Sequence, residues 1–194
     1  MRSGENTGEE DWIIKALLVV DVQNDFCPSG ALPAHEGDKV VPVINGLMAK
    51  FQLVVASKDW HSETTEHFRK WPRHCVQGTK GAELHPGLEK YRIDQIFLKG
   101  TGDKDEGYSA FEATNVDLER FLKERGADTL YITGIATEYC VKESALDALK
   151  RGFTTYVVKD AVEGVKLKEG DVARALGEME KAGVKIISSA EILK

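Results

Sequence analysis

Residues 129–140, which read Thr-Leu-Tyr-Ile-Thr-Gly-Ile-Ala-Thr-Glu-Tyr-Cys, decide the fold class of this chain. Residues 129–134 are uncharged and rich in β-branched and apolar side chains, as expected of a strand buried on both faces. A helix over residues 138–151 follows, and if Thr137 caps it, Cys140 lies in its first turn. Unpaired backbone N–H groups and the positive end of the helix dipole favour a thiolate there. The sequence therefore indicates an enzyme that works through a covalent thioester.

The same alternation of strand and helix continues on both sides of this stretch. Strands are predicted over residues 15–21, 53–58, 95–99, 129–134, 154–159 and 184–188. Helical periodicity lies between them, with one helix capped by Asn115 and another over residues 171–182. This order predicts a Rossmann-like, three-layer α/β/α fold around a mainly six-stranded parallel sheet. We expect residues 1–11 to be a disordered tail and residues 12–194 to form a single domain.

The composition of the chain excludes several classes of binding partner. The chain has 194 residues and a formal charge of −6 without a basic run, which argues against nucleic acid and anionic membranes. The apolar run at residues 16–20 is far too short to span a bilayer. Three cysteines form no disulfide framework, and the polar start of the chain does not resemble a signal peptide. We therefore expect a cytoplasmic protein that acts on a small molecule.

Four reactive side chains fall at or just beyond the carboxyl ends of predicted strands, where open parallel sheets bind ligands. They are Asp21, Asp59, Lys99 and Cys140. Taken singly, each residue has a simpler explanation: the aspartates as turn residues, the lysine as a solvated charge and the cysteine as a small buried side chain. Together they form a catalytic set in which Asp21 takes the thiol proton and Lys99 holds Asp21 in place.

A candidate metal site follows the second strand. Asp59 and His61 project the same way from extended chain, and His74 completes a set of one carboxylate and two imidazoles. Such a set suits one divalent ion, with zinc the first expectation and iron or manganese the alternatives. His67 is a possible further ligand. The alternative is that these histidines are capping or surface residues.

Two more groups of residues are candidates for substrate contacts. The backbone N–H groups of Ala136 and Cys140 can point at a developing oxyanion. Four apolar and aromatic side chains in loops on the same rim can enclose a flat ring, although ordinary loop packing explains each of them as well. These four are Phe26, Leu32, Trp71 and Tyr108.

Four segments together resemble the motifs of nicotinamidases, which belong to the isochorismatase-like cysteine hydrolases. They are residues 20–26 (Val-Asp-Val-Gln-Asn-Asp-Phe), 58–61 (Lys-Asp-Trp-His), 71–75 (Trp-Pro-Arg-His-Cys) and 134–140 (Gly-Ile-Ala-Thr-Glu-Tyr-Cys). The first and last of these, with Lys99, mark the superfamily, and the other two are more specific to nicotinamidases. The resemblance runs from about residue 16 to the C-terminus.

The resemblance implies roles for matching residues. Asp21, Lys99 and Cys140 correspond to the catalytic triad, and Asp59, His61 and His74 correspond to the metal ligands. The position of His67 ligates metal in some family members only. A cis peptide between Ile135 and Ala136 is also implied.

The implied activity is hydrolysis of nicotinamide to nicotinate and ammonia through a thioester, in NAD salvage. Pyrazinamide is an expected second substrate, with the ring nitrogen on the metal, and homo-oligomers are expected. One alternative is a related hydrolase acting on isochorismate, N-carbamoylsarcosine or a ureido compound. Another is a non-catalytic metal-binding or redox-sensing protein that uses Cys27, Cys75 and Cys140.

Overall fold

The short apolar runs of the sequence form one parallel sheet of six strands in the computed structural model, which describes residues 14–34 and 36–194. The tail predicted over residues 1–11 lies outside the described residues. The strands are β1 (Ile14–Val20), β2 (Leu53–Asp59), β3 (Gln95–Lys99), β4 (Ala127–Ile135), β5 (Thr154–Glu163) and β6 (Lys185–Ile187). Their order across the sheet is β3-β2-β1-β4-β5-β6, and every neighbouring pair is parallel.

Helices cover both faces of the sheet. They are α1 (Val40–Met48), α2 (Leu118–Lys123), α3 (Lys142–Lys150) and α4 (Asp171–Ala182). Alternate residues of β1 enter opposite cores: Leu18 packs with α2, α3 and α4, whereas Leu17 packs with α1. Each of these fully buried leucines contributes roughly 2 kcal/mol to folding. The predicted three-layer fold is confirmed. In the described part of the chain, no helix combines the length and apolarity needed to cross a membrane.

The centre of the sheet holds the point where strand order reverses. The chain runs from β1 through β2 to β3 on one side, and from β4 through β5 to β6 on the other. Val20 is paired with Gly134 at the ends of β1 and β4. The residues that follow these two strands therefore meet in one crevice, which is the usual ligand site of such sheets.

Strand β5 is longer than the sequence predicts. It continues to Glu163, past the expected end at residue 159, because its pairing with β4 shifts register and resumes at Val162 opposite Gly134. The added length carries the chain to the carboxyl edge of the sheet, beside the crevice.

The predicted cap of α2 is wrong. Asp117 caps this helix, since its Oδ1 accepts the backbone N–H of Arg120 at 2.9 Å. The Asn115 side chain instead pairs with β3: its Oδ1 accepts the N–H of Leu98 at 2.8 Å, and its Nδ2 donates to the carbonyl of Ile96 at 3.0 Å. Asn115 therefore satisfies backbone groups along the outer edge of β3.

Candidate active site

Lys99 lies at the centre of the crevice and joins the other three strand-end residues. Its buried Nζ is 2.8 Å from Asp21 Oδ2, 2.5 Å from Asp59 Oδ1 and 3.3 Å from Cys140 Sγ. Asp59 and Lys99 are paired residues of β2 and β3, so the register of the sheet sets their contact. An ammonium has three N–H donors, and here three groups surround it. The structure thus brings together the residues that the sequence placed at separate strand ends.

Burial and charge act against each other in this cluster. Burial alone would lower the pKa of Lys99, but Asp21 and Asp59 raise it well above its usual range. Burial also disfavours the charged form of Asp59, yet Lys99 and nearby histidines hold the pKa of this carboxyl below its usual range. Burial raises the pKa of Asp21 to about 6, against the opposing effect of Lys99. Asp21 is therefore suited to accept and return a proton near neutral pH.

Cys140 lies in a π-helical turn, Thr137–Val141, that joins β4 to α3. The expected N-cap is wrong, since Ala136 precedes this turn and Thr137 makes no capping hydrogen bond. Burial raises the pKa of the Cys140 thiol well above its usual range, and the Lys99 charge offsets this only in part. The structure therefore favours a neutral resting thiol, whereas the sequence led us to expect a thiolate. A base must remove its proton, and the Asp21 carboxylate lies beside it.

Three histidines gather next to Asp59. One ring nitrogen from each of three residues, His61, His67 and His74, lies within 4.8 Å of the other two. Asp59 Oδ2 lies 3.6 Å from His61 Nε2 and 3.8 Å from His74 Nε2, both too long for hydrogen bonds. His67, which the sequence left open, is thus part of the same buried group.

The chemistry of this group fits a divalent metal ion. His61 Nδ1 donates to the carbonyl of Gly100 at 2.8 Å, and His74 Nδ1 donates to that of Pro72 at 2.7 Å. These bonds leave both Nε2 atoms as acceptors, and that of His61 is buried without a partner among the described residues. Burial lowers the pKa of His74 and lowers that of His67 to about 4, so both are neutral near pH 7, as ligation requires. Only glycine fits at position 100, where a Cβ would lie 2.5 Å from the His61 ring.

One pocket is lined by two of these histidines, His67 and His74, and by Cys140. Phe26, Leu32, Trp71 and Tyr108, the four candidates for enclosing a flat ring, all line it, and their contact with a substrate stays a prediction. Two further residues also line it, Tyr139 and Val165, and the sequence analysis missed both. The sequence signal that could have identified Tyr139 was its position next to Cys140. No such signal existed for Val165, because it follows the part of β5 that extends beyond the predicted strand.

The aromatic wall of the pocket is held together by its own contacts. Trp71 Nε1 donates to the Tyr108 hydroxyl at 2.9 Å. The ring of Tyr139 lies 5.0 Å from that of Trp71 and 5.9 Å from that of Tyr108, measured between centroids. These contacts fix the three aromatic rings relative to one another.

The peptide between Ile135 and Ala136 is cis, which confirms the expectation. Ala136 also lines the pocket beside Cys140. The use of their N–H groups as an oxyanion hole stays a prediction.

Two buried polar side chains that support the site were not predicted. Ser57 Oγ donates to Asp21 Oδ1 at 2.7 Å, opposite the contact with Lys99. Gln23 clamps the backbone of Asp59: its Oε1 accepts the Asp59 N–H, and its Nε2 donates to the Asp59 carbonyl, each at 2.8 Å. The available signal was position: Gln23 lies two residues after Asp21, and Ser57 lies two residues before Asp59.

We expect Gln23→Ala to lower the free energy of unfolding by about 2–4 kcal/mol, because it leaves the buried N–H and carbonyl of Asp59 without partners. Denaturant titration measures this. Gln77→Ala is the matched control: its exposed amide also bonds a backbone carbonyl, that of Trp60, and its loss should cost less than about 1 kcal/mol. Equal losses in the two variants would contradict the role assigned to Gln23.

Comparison with known proteins finds similarity over nearly the whole chain. The family described as "Isochorismatase domain" matches residues 15–191. The nicotinamidase of Acinetobacter baylyi is 42% identical over 202 residues, covering 92% of this chain and 94% of that protein. The pyrazinamidase of Pyrococcus horikoshii, solved in complex with zinc, is 47% identical with a TM-score of 0.81, over 90% of this chain and 98% of that one. PnC1 of L. infantum, solved in complex with nicotinate, is 34% identical with a TM-score of 0.84, over 91% and 93% respectively.

Proposed function

We propose that this chain, which belongs to the isochorismatase family, hydrolyses nicotinamide to nicotinate and ammonia, a reaction of NAD salvage. The observation that carries this proposal is an aromatic pocket that is lined both by Cys140, with Asp21 and Lys99 around its thiol, and by His67 and His74 of the histidine cluster. Relatives named nicotinamidase and pyrazinamidase support it. Pyrazinamide is a second substrate under this proposal, because it presents a similar ring nitrogen and carboxamide.

Asp59, His61, His67 and His74 would hold one divalent metal ion. Zinc is the first choice, since zinc is the ion in the solved relative. When bound, the metal supplies a Lewis acid that takes up the pyridine nitrogen and orients the ring. Asp59 also contacts Lys99, so the same carboxylate connects the metal site with the catalytic residues.

Asp21 and Lys99 activate the nucleophile. Asp21 takes the proton of the Cys140 thiol, and the ammonium of Lys99, 3.3 Å from Sγ, stabilises the thiolate that forms. The sulfur attacks the carboxamide carbon, and the N–H groups of Ala136 and Cys140 receive the negative charge that develops on oxygen. Deprotonating the thiol only at this step, beside the ammonium of Lys99, suits a site whose burial disfavours an unpaired anion.

The same carboxyl completes the cycle. As the C–N bond breaks, Asp21 returns its proton to the nitrogen and ammonia leaves, with the acyl group on Sγ as a thioester. Asp21 then takes a proton from water as the water oxygen attacks the thioester carbon. Nicotinate leaves when the C–S bond breaks, and the thiolate regains its proton. A pKa near 6 lets Asp21 act as base and acid in turn.

Ammonia release from nicotinamide tests the proposal. We expect activity in the purified protein, its loss after chelation of metal, and its return when Zn²⁺, Mn²⁺ or Fe²⁺ is added. Benzamide is the matched control, because it has the carboxamide but no ring nitrogen, and we expect it to be hydrolysed at least about 100-fold more slowly. No ammonia from metal-loaded protein would overturn the assignment. Equal rates for the two amides would overturn the role of the ring nitrogen.

A further inference from the structure

Glu138 is a buried carboxylate that the mechanism does not use. It lies in the π-helical turn two residues before Cys140, and its side chain contacts the segment after β5. Its Oε1 accepts the backbone N–H of Lys166 at 2.7 Å. Its Oε2 has no hydrogen-bond partner among the described residues and lies against Gly164, where a Cβ would be only 2.4 Å away.

The segment that Glu138 contacts makes a sharp turn. Lys166 has φ of 58°, a left-handed conformation that L-residues rarely adopt. Glu163 fastens one side of this turn, because its Oε1 accepts the N–H of Gly164 at 2.7 Å and lies 2.8 Å from Lys166 Nζ. Glu138 fastens the other side. The Glu138 carboxylate and the Val172 side chain would each lie 2.4 Å from a Cβ at position 164, which explains why this residue is a glycine.

Val165 lies between these attachments and lines the substrate pocket together with Cys140. It is 91% buried, although it belongs to a connecting segment. Apart from Val165, the described residues of this segment do not line the pocket. The position of Val165 therefore decides how closely this side of the pocket fits a ring.

We infer that Glu138 is a positioning residue that sets the fit of the substrate pocket by fastening the segment carrying Val165 to the turn carrying the nucleophile. The inference deepens the proposed function and rests on it for its substrate. A single carboxylate thereby links the position of Val165 to that of Cys140.

Removing the carboxylate should loosen this wall. In Glu138→Ala we expect KM for nicotinamide to rise by roughly tenfold with a smaller change in kcat, because the pocket and not the chemical step is altered. Discrimination against ring-methylated nicotinamides, measured as a ratio of kcat/KM values, should fall by roughly tenfold, the effect of one methyl group in a close-fitting pocket. Glu138→Gln keeps an oxygen acceptor of the same reach and should restore both values. Val165→Ala, which keeps Glu138, should lower the same ratio.

Hydrogen exchange at the Lys166 amide provides a measurement that needs no turnover. It should quicken in Glu138→Ala, and stay as in the unmodified protein in Glu138→Gln and in Glu143→Ala, a control that removes a half-buried glutamate from α3. Unchanged exchange, an unchanged selectivity ratio, or a Glu138→Gln variant that behaves like Glu138→Ala would overturn the inference. If the unmodified protein does not hydrolyse nicotinamide, the proposed function fails, while the exchange experiment still decides the role of Glu138. If Glu138→Ala does not fold, the glutamine and Val165 variants decide it.

Discussion

Replacing Cys140 with alanine is expected to lower the rate of ammonia release by about 10⁴-fold or more, because the variant lacks the only sulfur that lines the pocket among the described residues. The substitution removes one small buried atom, so the fold and the histidine cluster should persist. The assay is ammonia release at saturating nicotinamide, with metal content and the denaturation midpoint measured on the same preparation.

Cys27→Ala is the matched control for this prediction. Its thiol is also buried, and burial raises its pKa to about 11, but it does not line the pocket. We expect the control to keep most of the activity. A Cys140→Ala protein that retained activity within tenfold of the unmodified protein would exclude a thioester on this residue.

Replacing Lys99 with methionine is expected to abolish turnover and to destabilise the protein together. The change removes the cation that Asp21 and Asp59 share, and leaving buried charges without their partner costs about 3–5 kcal/mol. Activity should fall by about 10³-fold or more, since the Cys140 thiolate also loses its counter-charge. Denaturant titration and the ammonia assay measure the two effects.

Lys58→Met is the corresponding change one strand away. Lys58 lies in β2 next to Asp59, but its ammonium packs over the Trp60 ring at 4.3 Å and forms no part of the buried cluster. We expect this control to lose less than about 1 kcal/mol and to keep its activity. If the two methionine variants were equally stable, the buried ion cluster would not hold the strand ends together.

The sequence predicted the fold well because each strand contains a short apolar run and helical periodicity lies between these runs. The sequence-based prediction was wrong where two neighbouring residues were equally suitable for the same structural role. Asn115 and Asp117 are both good N-caps, and the choice between them depends on β3, a strand that lies earlier in the chain. The extension of β5 depends on a register shift against β4 that no property of residues 160–163 signals.

The sequence analysis identified residues of the candidate site because charged and reactive side chains are unusual at the ends of buried strands. The residues that orient them were missed. Gln23 and Ser57 each act on an aspartate 36 positions away, and Glu138 acts on a backbone group 28 positions away. One sequence without its fold gives no indication of such pairs. A polar side chain is informative only once its partner is known.

The pairing of Asn115 with β3 also limits how copies of this chain can associate. An exposed edge strand invites a neighbouring molecule to extend the sheet. Here the N–H of Leu98 and the carbonyl of Ile96 are bonded to Asn115, and the Leu98 carbonyl accepts the N–H of Thr114 at 2.9 Å. An incoming strand would have to displace both residues before it could bond to β3. The Asn115 side chain therefore protects the β3 edge of the sheet from pairing with a strand of another molecule.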